Sequence, residues 1–531
     1  MKKYFIAIAC AAIALVSCNK ENVQNSSPVR TLRVGLEVPG TDNEELKSVL
    51  EGTNVVFAAG DAISVFDGVS NNKFTTTEGG AVATFSGTAA DAGQYLVLSP
   101  YVETATLASP SVVRITIPDV QVATPGGVDP NALLSAGIAT ADGAVTLYNA
   151  VGLVQIVVPA GLQVKNIQLG GGYGSDTIIA GDFDFNAASQ TLAFTSGGST
   201  STVITLVPPQ GESLIAPGTY YIGIRPKTVY DNGFTVAYVD ADNVLHKRQS
   251  RNKPDIKRSH ILPMGQLSES AFTAVTGRST LRYADSAPQF TGLLKQLAGG
   301  SGTFNETDNV IKKIVFKAHT LYSQSYKAGS NVISNGPNSD IQIHAYIIGD
   351  VAYVCTEAPI ITLYSNSANL FRDFAALEEV VFDDVNTMAN ASFSYMFRNC
   401  VNLKNVDFGN ADFSKVTDFS FMFVTNKLEN VNFGKTATTS ATTMQSMFSQ
   451  ALNLRNLHLG PNFTLATNTT GMFNGTASVT TTILDEEGHG LQCKFYSSQA
   501  VWDALNVDLN ENGVNPTTLF NKNRFYFIPA E

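Results

Sequence analysis

Phe393-Ser394-Tyr395-Met396-Phe397-Arg398-Asn399-Cys400-Val401-Asn402-Leu403-Lys404-Asn405-Val406-Asp407-Phe408 is one turn of a pattern that runs through the last third of the chain. The pair at its centre recurs as Leu370-Phe371, Met396-Phe397, Met422-Phe423, Met447-Phe448 and Met472-Phe473, with steps of 26, 26, 25 and 25 residues between the Phe positions. Each of the first four pairs is followed by a second apolar cluster closing 10 or 11 residues later: Leu377/Val380/Phe382, Leu403/Val406/Phe408, Leu428/Val431/Phe433 and Leu454/Leu457/Leu459. A fixed period in the twenties predicts a solenoid, in which each turn buries its apolar face only against its neighbours. Such folds mostly bind.

One repeat supplies a strand, such as Val406–Phe408, and a tighter segment carrying Met-Phe. Stacked strands then form a parallel sheet, and Phe371, Met396, Phe397, Met422, Phe423, Met447, Phe448, Met472 and Phe473 fill the core behind it. Side chains alternate across a strand. The residues beside each strand core, Lys404, Asn405, Asp407, Asn430, Asn432, Arg455, Asn456 and His458, therefore project outward as the candidate binding face.

The 531 residues imply several domains, and only 15% are charged, against about 25% in an average globular domain. With 43 Gly, the chain has the composition of a secreted β protein. A net charge of −11 argues against nucleic acid as a partner. The densest basic cluster, Lys247, Arg248, Arg251, Lys253, Lys257 and Arg258, reads as a solvated hairpin. Lys2 and Lys3 precede an apolar run, Tyr4 to Val16, that is shorter than the roughly 20 residues of a membrane span, so it reads as a signal peptide. Leu15-Val16-Ser17-Cys18 resembles the lipobox of bacterial lipoproteins, which implies acylation of Cys18 and a lipid membrane anchor. Asn19-Lys20-Glu21-Asn22 resembles the short tag that sends Bacteroidetes-type lipoproteins to the outer face of the outer membrane. The remaining cysteines, Cys355, Cys400 and Cys493, are too few and odd in number for a disulfide framework.

From Leu32 to Val38 apolar and polar residues alternate, the pattern of a half-buried strand. Short strands separated by Gly, Pro, Asp and Asn follow to about Val239, predicting one or two β-sandwiches. Ala59-Gly60-Asp61-Ala62-Ile63-Ser64-Val65-Phe66, Ala83-Thr84-Phe85-Ser86-Gly87, Leu98-Ser99-Pro100-Tyr101 and Ile261-Leu262-Pro263-Met264 resemble segments of the fimbrillin-like family. That resemblance implies a two-part β-sandwich from a lipoprotein used in pili or on the cell surface. In fimbrillin relatives a protease removes the first strand after an Arg, and a strand of the next subunit fills the groove. Arg30, just before the alternating strand, is the matching candidate for processing. Phe393 to Cys400, Val416 to Phe423 and Met444 to Phe448 resemble the BspA-like leucine-rich repeats.

Motifs for chemistry are missing from the sequence. There is no His-Glu-x-x-His, no Cys-x-x-Cys and no Walker loop, so no catalytic residue, metal or cofactor is expected. His489 and Cys493 are four apart but lack a third orienting group. The expected fold is mainly β: a signal peptide over 1–17, a tether over 18–30, a fimbrillin-like β-sandwich region over 31–268, and a connector with the N-terminal cap over 269–359. Leucine-rich repeats then fill 360–478, with a C-terminal cap over 479–531. The expected function is non-enzymatic adhesion at the cell surface, toward a host protein, a glycan or a bacterial surface. The alternative is a structural tip subunit that pairs with other pilus subunits.

Overall fold

The computed structural model describes residues 28–37, 56–140, 143–172, 177–227, 230–231, 233–281, 290–321, 332–334, 338–424, 427–476, 480–484 and 490–530. The signal segment, Cys18, the tether up to residue 27 and His489 lie outside the described residues. The chain is mainly β, 42% strand and 6% helix. No helix among the described residues is long and apolar enough to cross a membrane.

The first strands are β1 (Val29–Leu36), β2 (Ala62–Phe66), β3 (Asn71–Thr75), β4 (Val82–Thr88) and β5 (Gln94–Ser99). With Ser135–Thr140 and Ala144–Asn149 they close into a barrel instead of the expected sandwich. Closure comes from β1, which pairs antiparallel with β4 and parallel with Ala144–Asn149, so neither neighbour keeps a free edge. Leu32 and Val34 of β1 point into a core with Ile63, Val65, Phe74 and Phe85.

Two further sheets, ordered around Gly152–Val158 and Val164–Gly170, pack with the sheet of Ala180–Asn186 around a second core. The barrel is tied to this region through Glu37. Arg258 Nη2 donates to Glu37 Oε1 at 3.0 Å, Arg258 Nη1 to Oε2, and Ser259 Oγ to Oε2 at 2.7 Å. Half of the basic cluster is thus anchored, while Arg251, Lys253 and Lys257 are exposed as a solvated hairpin would have them. Arg258 holds Glu37, Arg248 donates to Met264 O and lies over the Phe272 ring, and Lys247 meets Glu357 at 2.5 Å. Acceptors far away in sequence decide this, and a charge pattern does not show them.

The connector read over 269–359 contains the helix Phe290–Leu297. Eight residues are too few for a clear amphipathic period. Its Lys295 amine is buried and donates to the carbonyls of Phe304, Glu306 and Arg372 at 2.8, 2.5 and 2.9 Å, closing the end of the repeat core. The segment read as connector and N-terminal cap, 269–359, also contains the strand Lys313–Lys317. It sits inside a nine-stranded sheet, between Val351–Thr356 and Glu379–Val381. The order continues through Asn405–Asp407, Asn430–Asn432, Asn456–Gly460 and Cys493–Ser497 to Phe525–Pro529, all in parallel pairs; only Ile343–Ile348 is antiparallel to its neighbour.

The Met-Phe turns carry a second ladder. Phe371 N–H donates to Met396 O, Phe423 to Met447 O and Phe448 to Met472 O, each at 2.9 Å. The Phe rings stack in one column: Phe371–Phe397 at 5.1 Å, Phe397–Phe423 at 5.4 Å, Phe423–Phe448 at 5.3 Å and Phe448–Phe473 at 5.5 Å. Such pairs add about 0.5–1.5 kcal/mol each beyond burial. The residue before each Met or Leu takes a left-handed φ: Asn369, Tyr395, Phe421, Ser446 and Gly471. Repetition of the same backbone bend, with different side chains, shows that packing of the Met-Phe pair dictates it. At or just past the ends of three successive strands of this sheet a glycine column runs through Gly409, Gly434 and Gly460. A Cβ on Gly434 would lie 2.1 Å from Gly409 O, and one on Gly460 2.1 Å from Gly434 O.

Candidate functional site

Asn405–Asp407, Asn430–Asn432 and Asn456–Gly460 are in register, so their alternating residues fall into rows. Val406, Val431 and Leu457 point inward and are buried. Outward, Asn405, Asn430 and Asn456 form one row, and Asp407, Asn432 and His458 the next, extended by Tyr496. All are half-buried, as are Lys404 and Arg455.

The rows are internally bonded. Asn430 Nδ2 donates to Asn405 Oδ1 at 2.6 Å, and Asn456 Nδ2 to Asn430 Oδ1 at 2.6 Å. In the second row Asn432 Nδ2 donates to Asp407 Oδ1 at 3.0 Å, an oxygen that also accepts from Gly409 N–H at 3.0 Å. His458 stacks on Tyr496 with centroids 5.0 Å apart. Burial lowers the His458 pKa, so its imidazole is neutral at pH 7. Lys404 is engaged with Glu378 at 2.7 Å, at the edge of the face. The two rows line a shallow trough of about 380 Å³. Asp407 is the one formal charge among its lining residues. Preordered amides on a rigid sheet lose little entropy when they bind, which favours recognition.

The other sequence candidates sit elsewhere. Phe371, Met396, Phe397, Met422, Phe423, Met447, Phe448, Met472 and Phe473 are all buried in the core behind the sheet. Arg30 is not in a linker before the first strand. It is the second residue of β1, its Nε donates to Ala89 O at 3.3 Å, and its guanidinium pairs with Asp91. A cut at Arg30 would leave Leu32 and Val34 in place, so it would not remove the strand. Cys493 is buried and its thiol pKa is pushed up to about 12 by desolvation, which disfavours a nucleophilic thiolate.

One constellation had no sequence signal. His319, Asp383 and Asp384 bring three ligand atoms within 4.8 Å of one another, although the sequence shows no metal motif. His319 Nε2 lies 2.5 Å from Asp384 Oδ2, Asn243 Nδ2 donates to Asp384 Oδ1 at 3.1 Å, and Gln168 Nε2 donates to His319 O at 3.0 Å. Gln168 and Asn243 belong to the second β region and Asp384 to the repeats, so these groups join the two. A cavity of about 420 Å³ lies between the barrel and the following sheet, floored by Leu98, Ile115 and Leu134. Asp182 on its rim already accepts from Thr116 Oγ1 at 2.6 Å and Ser199 N–H at 2.8 Å.

Residues 365–486 match the family described as "Mycoplasma protein of unknown function, DUF285". No curated protein matches the chain. Among solved structures, a "putative cell adhesion protein" from Bacteroides ovatus is similar at 13% identity and a TM-score of 0.29, over 47% of this chain and 96% of that one. One of the same description from Bacteroides uniformis is similar at 16% identity and a TM-score of 0.29, over 46% and 95%. A "fimbrial assembly protein" from Parabacteroides distasonis is similar at 10% identity and a TM-score of 0.22, over 47% and 95%.

Proposed function

We propose that this chain is a non-enzymatic surface lipoprotein, held on the outer membrane by acylated Cys18, that recognises a ligand through its repeat block. On this reading residues 360–478 are a BspA-like leucine-rich-repeat solenoid and residues 31–268 a fimbrillin-like stalk. The observation that carries the reading is the pair of registered polar rows on the outer sheet face, Asn405/Asn430/Asn456 and Asp407/Asn432/His458. Polar residues that only cover a surface need no such order. Here three adjacent strands present an amide at the same height, on a scaffold locked by the Phe column. The experiment is immunogold microscopy of intact cells with antibody to residues 360–480, paired with mass spectrometry of the mature N-terminus. Gold over the cell body with lipid on Cys18 supports the reading. Gold only after permeabilisation contradicts it.

A second reading, a pilus tip subunit, is favoured by β1. That strand alone bridges β4 and Ala144–Asn149, so its removal would open two facing edges ready for strand addition. Gold at filament ends, with a mature chain that begins beyond Leu36, would support it.

A further inference from the structure

Resting on the recognition reading above, we infer that the trough on the outer sheet face takes a neutral carbohydrate. Its chemistry separates this ligand class from the others.

An anionic partner meets the Asp407 carboxylate, with no cation among the trough's lining residues to offset it. Asp407 Oδ1 is spent on Asn432 and Gly409, whereas Oδ2 faces no donor among the described residues. A carboxylate oxygen left this way suits a hydroxyl donor. Protein partners are usually anchored by large apolar side chains that enter pockets. The aliphatic residues here, Val406 and Val431, are turned inward and offer no such pocket.

A sugar ring presents hydroxyls that both donate and accept, and an apolar C–H face. Both needs are met. Asn430 spends one N–H on Asn405 and one lone pair on Asn456, which leaves one of each facing outward. The stacked His458–Tyr496 pair closes one end of the trough with aromatic surface for the C–H face. The amides repeat at the spacing of adjacent strands, about 4.8 Å, close to the length of one sugar ring, so a chain of residues running across the strands would meet equivalent groups.

The test applies the full-length chain to an array of neutral and acidic oligosaccharides, and in parallel to intact target cells. Neutral hexose or N-acetylhexosamine probes are expected to bind, with affinity unchanged between about 0.05 and about 0.5 M NaCl because no charge pair is involved. Tyr496→Ala is expected to weaken this binding by roughly tenfold or more. Asp407→Asn, which keeps the shape of the side chain, is expected to weaken it as well, with an unchanged thermal melt confirming the fold. Binding to acidic probes alone overturns the inference. Absence of glycan binding, while cells still retain the wild type better than the two variants, overturns the carbohydrate but leaves recognition through this face standing. Equal retention of all three proteins by cells overturns both.

Discussion

Asn430 donates from Nδ2 to the Oδ1 of Asn405 at 2.6 Å, although 25 residues separate them in the chain. The same distance joins Asn456 to Asn430. Asn430 is therefore the central rung, both donor and acceptor. Replacing it with Leu removes both bonds and strands a donor on one side and an acceptor on the other. Asn430→Leu is expected to cost about 1–2 kcal/mol, more than Asn405→Leu, which loses one bond. Urea unfolding of the two variants checks the order; equal costs would mean that the ladder does not act as a unit.

Gly434→Ala places a methyl against Gly409 O, 2.1 Å from where its Cβ must sit, at a φ of +57°. Neither the backbone carbonyl nor the stacked neighbour can give way without opening the sheet. A loss of more than about 3 kcal/mol is expected, against about 1 kcal/mol for Gly→Ala at the turn position Gly349, where φ is +61° but nothing lies within 4 Å of the added Cβ. Thermal melts of the two variants make the comparison.

Much of the repeat block was legible because its signal is local and repeated. Met-Phe recurs every 25 or 26 residues, and the structure stacks those residues at that interval. Barrel closure was not legible. It depends on a parallel pairing of β1 with Ala144–Asn149, more than a hundred residues apart, and alternation is the same in a sandwich and a barrel. The helix Phe290–Leu297 was hidden by its brevity. Outward projection of Asn405, Asn430 and Asn456 followed from the period of 2, but the partners of those amides did not, because they come from the next repeat. Tyr496 was missed because it lies beyond the last regular repeat, in a strand that enters the sheet from the C-terminal segment. His319 meets Asp384 across 65 residues with no motif at either end.

Glu37 links the barrel to the sheets that follow. Burial alone would raise its pKa, but hydrogen bonds from Arg258 and Ser259 outweigh this and hold it below the ordinary carboxylate value. A depressed carboxylate contributes stability above its unfolded pKa, and that contribution fades as pH falls through the folded value. The wild type is therefore expected to lose stability below about pH 4 more steeply than Glu37→Gln, which is already weaker at pH 7. Melting temperatures of both proteins between about pH 7 and about pH 3 test this; parallel curves would show that the pair contributes nothing.

Cys355, Cys400 and Cys493 are all buried. Desolvation pushes Cys355 up to about 11, Cys493 up to about 12, and Cys400 higher still. At pH 7.5 almost no thiolate is present and no reagent has access. A maleimide is expected to leave all three unmodified in the folded chain and to label them in denaturant, as mass spectrometry would show. Fast labelling of Cys493 in the folded protein would instead signal a reactive thiol near the last repeats.

The central claim is that the outer sheet face is the recognition surface. Its most direct test is to coat beads with the wild type and with the double variant Asn432→Arg/His458→Arg, and to count bound target cells by flow cytometry. Two long cations in the trough would block a ligand without touching the Phe column behind the sheet. The account predicts that binding falls by about tenfold or more while the melting temperature stays within a few degrees. Undiminished binding by a folded double variant would contradict it and move recognition to another part of the molecule.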